Sequence, residues 1–234
     1  MSGKKPPELY SSEDEARAER QWDALHASPR FRPRYPNEHV VRFLLGRFPD
    51  GERARLRALD VGVGGGRHSK LLSDLGFQAA GVDFSREGLQ HARRWLQGSG
   101  QATRLCQASM LTLPFGDAVF DAVIAFAVYY YADRAGMRRA VGELRRVLRP
   151  DGWGFVALRT DHDYRYGKGV EIEPHTFRLT INDTNEAGCV MHFLTEESVP
   201  AMFEGFTELC FERTETTFGS RRQRNSDWLI QVRK

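Results

Sequence analysis

An α/β fold with an open, mostly parallel sheet is predicted by three observations. The stretch 58–85, ALDVGVGGGRHSKLLSDLGFQAAGVDFS, reads as strand, glycine turn, helix, strand and acidic residue. The same alternation of short apolar runs with amphipathic helical patterns then continues to about Leu158. At the end the pattern changes, and two extended stretches, 205–218 and 227–232, follow each other with only an arginine-rich turn between them.

The first stretch carries the most chemistry. Residues 57–63 form a short apolar run, and side chains vanish at Gly62, Gly64, Gly65 and Gly66. Leu71, Leu72 and Leu75 then fall at helical spacing, with Gly76 as a stop. Residues 77–82 make a second strand, closed by Asp83. Glycines let a backbone turn sharply and approach a ligand without a Cβ between them. An acid at the end of the following strand stands where a ribose hydroxyl pair needs an acceptor. The pattern implies a nucleoside-containing cofactor at the carboxyl edge of a parallel sheet.

Glycine spacing separates the cofactor classes. A dinucleotide fingerprint requires Gly-x-Gly-x-x-Gly, its third glycine letting a helix face a pyrophosphate. Counted from Gly62, that third place is Arg67. The glycines run instead as Gly62-x-Gly64-x-Gly66, with Asp60 two residues ahead. This resembles the D-x-G-x-G-x-G motif of the class I S-adenosylmethionine-dependent methyltransferases of the small-molecule type. Three further stretches resemble that family in order. Ser109 to Phe115 is similar to its D-x-x-x-L-P-F, Phe120-Asp121-Ala122-Val123 to its F-D-x-apolar strand entry, and Arg149-Pro150-Asp151-Gly152 to its L-[KR]-P-G-G turn. The motifs span residues 37–160; residues 195–234 fit by pattern alone.

The resemblance implies a three-layer sandwich around a seven-stranded, mostly parallel sheet of order 3-2-1-4-5-7-6, the last strand antiparallel. It implies S-adenosylmethionine as cofactor, its methionine half wrapped by Asp60, Gly62, Gly64, Gly66 and Arg67. Asp83, Phe84 and Ser85 then meet the ribose, Ser109 and Met110 the adenine, and Phe126 lies beside the cofactor at the end of strand four. Ser109 departs from the family, which has aspartate there; a hydroxyl accepts hydrogen bonds more weakly than a charged group.

Bulk properties bound the remaining readings. At 234 residues, one α/β domain with additions is expected. No run of eighteen apolar residues and no signal-peptide pattern occur, so a protein without a membrane segment, acting in the cytoplasm, is expected. Cys106, Cys189 and Cys210 are odd in number and unpaired in spacing, which fits a reducing compartment and argues against a disulfide frame or zinc site. A net charge of +3, with a small cluster at Arg221, Arg222 and Arg224, does not amount to the concentrated basic face of a nucleic-acid binder.

Taken in order, residues 1–36 are expected to form an arm and a lid helix, and residues 37–234 the cofactor-binding domain. Ser12 and Glu15 have capping-box spacing and open a helix to about Ala27, with Trp22 and Leu25 on one face. Three prolines between Pro29 and Pro36 exclude helix there. In the family such N-terminal helices cover the cleft, which brings Tyr10, Arg30, Phe31 and Tyr35 within reach of a ligand. A second helix is expected over 37–48, one capped by Ser85 to about Gln97, and one over 133–148. Strands are expected over 102–108, 119–126 and 153–158, and Thr195 opens a short helix to about Glu204.

Residues 159–194 exceed a plain connection and are rich in polar and aromatic side chains. Within them 175–181 and 189–194 alternate as a hairpin does. Following strand five, this insert stands above the carboxyl edge, as an acceptor cover or a solvated flap. Methyl transfer needs an aligned nucleophile, a dry cavity and, for a protonated acceptor, a base. Candidates for that catalytic work are His162 and His192, with Tyr129, Tyr130 and Tyr131 lining the mouth. The base-flipping tetrapeptide [DNS]-P-P-[YF] is replaced by Ala125-Phe126-Ala127-Val128, and no cysteine stands near strand four for pyrimidine C5 chemistry. Asp161, Asp163, Glu171 and Glu173 lack the spacing of a catechol-type magnesium site, so no metal is expected. A small-molecule acceptor, methylated on oxygen, nitrogen or carbon, is therefore expected, without nucleic acid or membrane as partner. The alternatives are an RNA or protein methyltransferase and a non-catalytic cofactor-binding module. Oligomeric state is not legible.

Overall fold

The computed structural model describes residues 12–100, 103–181 and 185–234. Its main sheet has seven strands in the order β3-β2-β1-β4-β5-β10-β9. In chain order these are β1 (Arg57–Val61), β2 (Gln78–Asp83), β3 (Arg104–Gln107), β4 (Phe120–Phe126), β5 (Leu148–Arg159), β9 (Glu208–Phe218) and β10 (Gln223–Arg233). The first five run parallel, and β10 pairs antiparallel with both β5 and β9. Only the numbering departs from the expected 3-2-1-4-5-7-6, because the insert contributes β6, β7 and β8 (Gly169–Glu173, Thr176–Leu179 and Val190–His192).

Period-two alternation makes the three layers. Along β4, Ala122 and Ile124 belong to one apolar cluster while Val123 and Ala125 belong to the other. On the first face α2 (Glu38–Arg47) brings Val40, Phe43 and Leu44 against Phe155, the two phenyl rings 5.3 Å apart. On the second, α5 (Arg134–Val147) buries Met137, Ala140, Val141 and Leu144 at helical spacing. The caps lie where the sequence puts them: Asn37, Ser85 and Asp133 each accept a backbone N–H from the first turn of α2, α4 (Arg86–Gly98) and α5. α1 spans Ser12–His26 and α3 spans Arg67–Asp74.

Local differences from the expected elements have local causes. Pro29–Phe31 forms a single 3-10 turn, which tolerates proline at its first position. β5 begins at Leu148, five residues early, because the Arg149–Gly152 turn stays paired alongside β4 and the chain end; Asp151 there takes φ +65°. The helix expected after Thr195 is a 3-10 turn followed by α6 (Val199–Met202), with proline at its start. β10 starts four residues before Asp227, since the polar residues Gln223–Ser226 pair with β9. In the insert β7 and β8 pair as foreseen, while β6 adds a third strand whose Val170 and Glu171 are exposed on a surface that carries no apolar alternation. No helix among the described residues is long and apolar enough to cross a membrane.

The glycine turn is packed as tightly as it is bent. Gly66 has φ +97°, and a Cβ there would lie 2.9 Å from Ala92 Cβ on α4. Gly76 has φ +90° with nothing within 4 Å. Gly76→Ala should therefore lose only about 1–2 kcal/mol of stability, through added backbone strain. Gly66→Ala adds an overpacking penalty of about 1–3 kcal/mol. Urea unfolding of both variants checks this; equal midpoints would show that the turn is not pressed against α4.

Candidate functional site

A cleft with a cavity volume of about 110 Å³ opens where β1, β2, β3 and β4 end. Its floor is Gly62 and Gly64 after β1, Asp83 and Phe84 after β2, Ala108 to Leu111 after β3, and Ala127, Val128 and Tyr131 after β4. Its roof is α1, through Glu15, Trp22 and His26. Ligands bind in open α/β sheets outside the carboxyl ends of the strands.

At the turn, Gly62 and Gly64 have φ +79° and +51°, and a Cβ on Gly62 would lie 2.9 Å from Val128. Asp83 ties this turn to β2: its Oδ2 accepts from Gly64 N at 2.7 Å and its Oδ1 from Ser85 N at 2.8 Å. Burial raises the Asp83 carboxyl from 3.8 to about 6, against the lowering effect of those two N–H groups. Asp60 is buried beside it and likewise raised to about 6 by burial. Its Oδ2 accepts from Ser69 Oγ at 2.7 Å, while its Oδ1 has no partner. A side-chain-free turn with a buried carboxylate, Asp83, at the edge of the cleft suits a ligand that brings hydroxyl groups to that carboxylate and lies close against the turn.

The roof is fastened to α4. Asp23 Oδ1 accepts from Ser85 Oγ at 2.8 Å and from Glu87 N at 3.2 Å, placing a carboxylate at a helix N-terminus. Because the Ser85 hydrogen goes to Asp23, His26 Nδ1, 3.0 Å from Ser85 Oγ, is the donor there and Nε2 keeps its lone pair. Burial lowers His26 from 6.5 to about 4, so the ring is neutral at pH 7. Trp22 meets Tyr131 edge-on at 5.0 Å between ring centroids. Tyr131 Oη donates to Glu186 Oε1 at 2.6 Å, and Glu186 also accepts from Arg165. Burial and Glu186 hold this phenol protonated.

Six of the expected cofactor residues line the cleft: Gly62, Gly64, Asp83, Phe84, Ser109 and Met110. Asp60, Gly66 and Ser85 lie behind it, supporting the turn and capping α4, and Arg67 spreads its guanidinium over the Phe126 ring outside it. Of the catalytic candidates, His162, His192, Tyr129 and Tyr130 are not among the lining residues. Tyr129 and Tyr130, just after the left-handed Ala127 (φ +60°), are buried in the core cluster shared by the sheet, α5 and the insert. His192 is also buried, its Nδ1 2.6 Å from Thr176 Oγ1, and His162 sits against Arg224 at the β10 side. Of the tyrosines only the third, Tyr131, lines the cleft. Arg30 and Phe31 stack on each other, and Tyr35 is 80% exposed. Tyr10 lies outside the described residues. Glu15 and His26 were missed, although their spacing from Trp22 marks one stripe of α1.

Comparison with known proteins matches residues 59–156 to the methyltransferase domain family. A demethylmenaquinone methyltransferase of Thermus thermophilus is 40% identical over 104 residues, 43% of this chain and 46% of that protein. A ubiquinone biosynthesis O-methyltransferase of Methylocella silvestris is 34% identical over 44% of this chain and 39% of that protein. The chain thus spans less than half the length of these relatives. A crystal structure of a SAM-dependent methyltransferase from Methanosarcina mazei shares the fold, with TM-score 0.65 and 21% identity over 76% of this chain and 92% of that one.

Asp83 gives the site a pH dependence with a definite sign. Its folded value, about 6, exceeds the ordinary 3.8, so the stability linked to it is lost as pH rises from about 4 to about 6. Ligand hydroxyls need the ionised form, so affinity for S-adenosylhomocysteine should rise between pH 5 and pH 7, while His26 stays neutral. Asp83→Asn should lose most of that rise, and Asp83→Ala should weaken binding by about 1–3 kcal/mol at pH 7.5. Titration calorimetry checks both; a pH-independent wild type would contradict the assignment.

Proposed function

We propose that this chain, whose residues 59–156 match the methyltransferase domain family, is a class I S-adenosylmethionine-dependent enzyme that transfers a methyl group to a small, largely apolar acceptor. The observation that carries this reading is the two-ended cleft, polar at Gly64 and Asp83 and lined by apolar and aromatic groups at Val128, Trp22 and Tyr131. Relatives named for demethylmenaquinone and ubiquinone biosynthesis support an acceptor with a ring and apolar substituents.

When bound, the cofactor supplies an activated methyl group on a sulfonium. The chain's own contribution is alignment and dryness. Asp83 holds the sugar through a carboxylate that is itself fixed by two backbone N–H groups. Trp22 and Tyr131 close the roof against the mouth, which keeps water from the reacting atoms. Orientation of this kind supplies up to about 7–11 kcal/mol. For an acceptor that arrives protonated, neutral His26 lines the cleft with a lone pair on Nε2 that can take the proton; Tyr131 is committed as a donor to Glu186.

In this reading residues 1–36 act as arm and lid, residues 37–234 as the catalytic domain, and the insert 159–194 as a cover on the acceptor side. Three free cysteines accord with action in the cytoplasm. An RNA or protein acceptor is the second reading, through the exposed Arg221, Arg222 and Arg224 at the β9–β10 turn. A non-catalytic binding module is the third. Incubation with methyl-labelled S-adenosylmethionine and a cell extract distinguishes them. Label is expected in the small-molecule, solvent-extractable fraction, with little salt dependence. Label in RNA or protein with affinity falling steeply in salt would favour the second, and cofactor binding without any transfer the third.

A further inference from the structure

One carboxylate enters the cleft from its roof. Glu15 on α1 lines the cleft beside Phe84, Met110 and Leu111, and its Oε1 accepts from Ser109 Oγ at 2.6 Å. Ser109 Oγ in turn accepts from Leu111 N at 3.2 Å. The serine hydrogen is therefore spent on the glutamate, so the acceptor offered at this corner is carboxylate oxygen rather than hydroxyl. Among the described residues no hydrogen bond to Glu15 Oε2 is made.

Glu15 is held in place from both sides. Asp14 pairs with Arg178 on β7 at 3.0 Å, and Gln21 Nε2 donates to the Asn185 and Ala187 carbonyls at 2.7 and 3.1 Å. The α4 side is fixed by Asp23. The resulting slot has apolar walls and one anionic edge, at the far side of the cleft from the glycine turn. A planar heterocycle fits such walls. A carboxylate accepts and cannot donate, so its edge selects a base that presents an amino group.

We propose that Glu15, reaching over from the lid helix, recognises the exocyclic amine of the cofactor's adenine, supplying the negative acceptor that Ser109 does not provide from the sheet edge. The proposal rests on the adenosyl-ligand reading above. Ser109 acts as a positioning residue that fixes the glutamate. Binding of the base then requires α1 in its seated position.

Titration calorimetry with two ligands tests it: S-adenosylhomocysteine, and its analogue with hydrogen in place of the 6-amino group. The wild-type protein should prefer the amino ligand about tenfold, equivalent to about 1.4 kcal/mol. Glu15→Ala should raise the dissociation constant for the amino ligand about tenfold and leave that for the analogue within about twofold, abolishing the preference. Ser109→Asp added to Glu15→Ala should restore it. A Glu15→Ala variant that weakens both ligands equally would overturn the proposal, as a purely structural role predicts. If that variant does not fold, Glu15→Leu, which cannot accept a hydrogen bond, is read in its place: loss of the preference supports the proposal and a retained preference overturns it. Failure of the wild-type protein to bind either ligand would instead sink the adenosyl reading itself.

Discussion

The hydrogen bond from Gly64 N to Asp83 Oδ2, 2.7 Å long, is the constraint on which the site depends. It joins the turn after β1 to the end of β2 and fixes where a backbone without side chains faces the cleft. Every neighbouring feature serves that approach. Gly62 leaves room for Val128, Gly66 for Ala92, and Gly88 for His26 Nδ1, which would lie 2.8 Å from a Cβ there. The same carboxylate is left near neutrality in its titration, because burial raises it and two N–H groups pull it back.

A second layer of polar contacts seats the lid. Asp23 and His26 meet at Ser85, so the residue that caps α4 also receives the roof. On the other side the insert takes hold of α1 through Arg178 and the carbonyls of Asn185 and Ala187. The insert is braced in turn by buried charge: Arg165 binds Asp163, Asn225 and Glu186, and Arg159 binds Asp227. Breaking one member of such a network leaves its partner buried and unpaired, which makes the arrangement rigid. The helix that roofs the cleft is thus held by two pieces distant in sequence, the cap of α4 and the insert.

Much of this was legible in the sequence wherever a local rule decides the outcome. Caps at Asn37, Ser85 and Asp133 were readable because a short polar side chain before an amphipathic run has one economical use. The sheet order followed from the family resemblance that the glycine motif and the final antiparallel pair carry. What was not legible depends on side-chain direction after a strand ends. Three consecutive tyrosines look alike in sequence, yet just after the left-handed Ala127 Tyr129 and Tyr130 are buried in the core and only Tyr131 lines the cleft. His192 was chosen for its chemistry, but its strand faces the apolar cluster of the insert and its ring is satisfied by Thr176. Glu15 and His26 were missed because a lid helix shows which face is inward only once its partner surface is known.

The central claim is that this turn and Asp83 hold an adenosyl ligand by its sugar. A crystal structure of the chain with S-adenosylhomocysteine tests it most directly. The account predicts ribose hydroxyls within hydrogen-bonding distance of the Asp83 carboxylate and the thioether chain along Gly62–Gly64. Ligand density elsewhere, with His26 still lying against Gly64 and the cleft vacant, would contradict it.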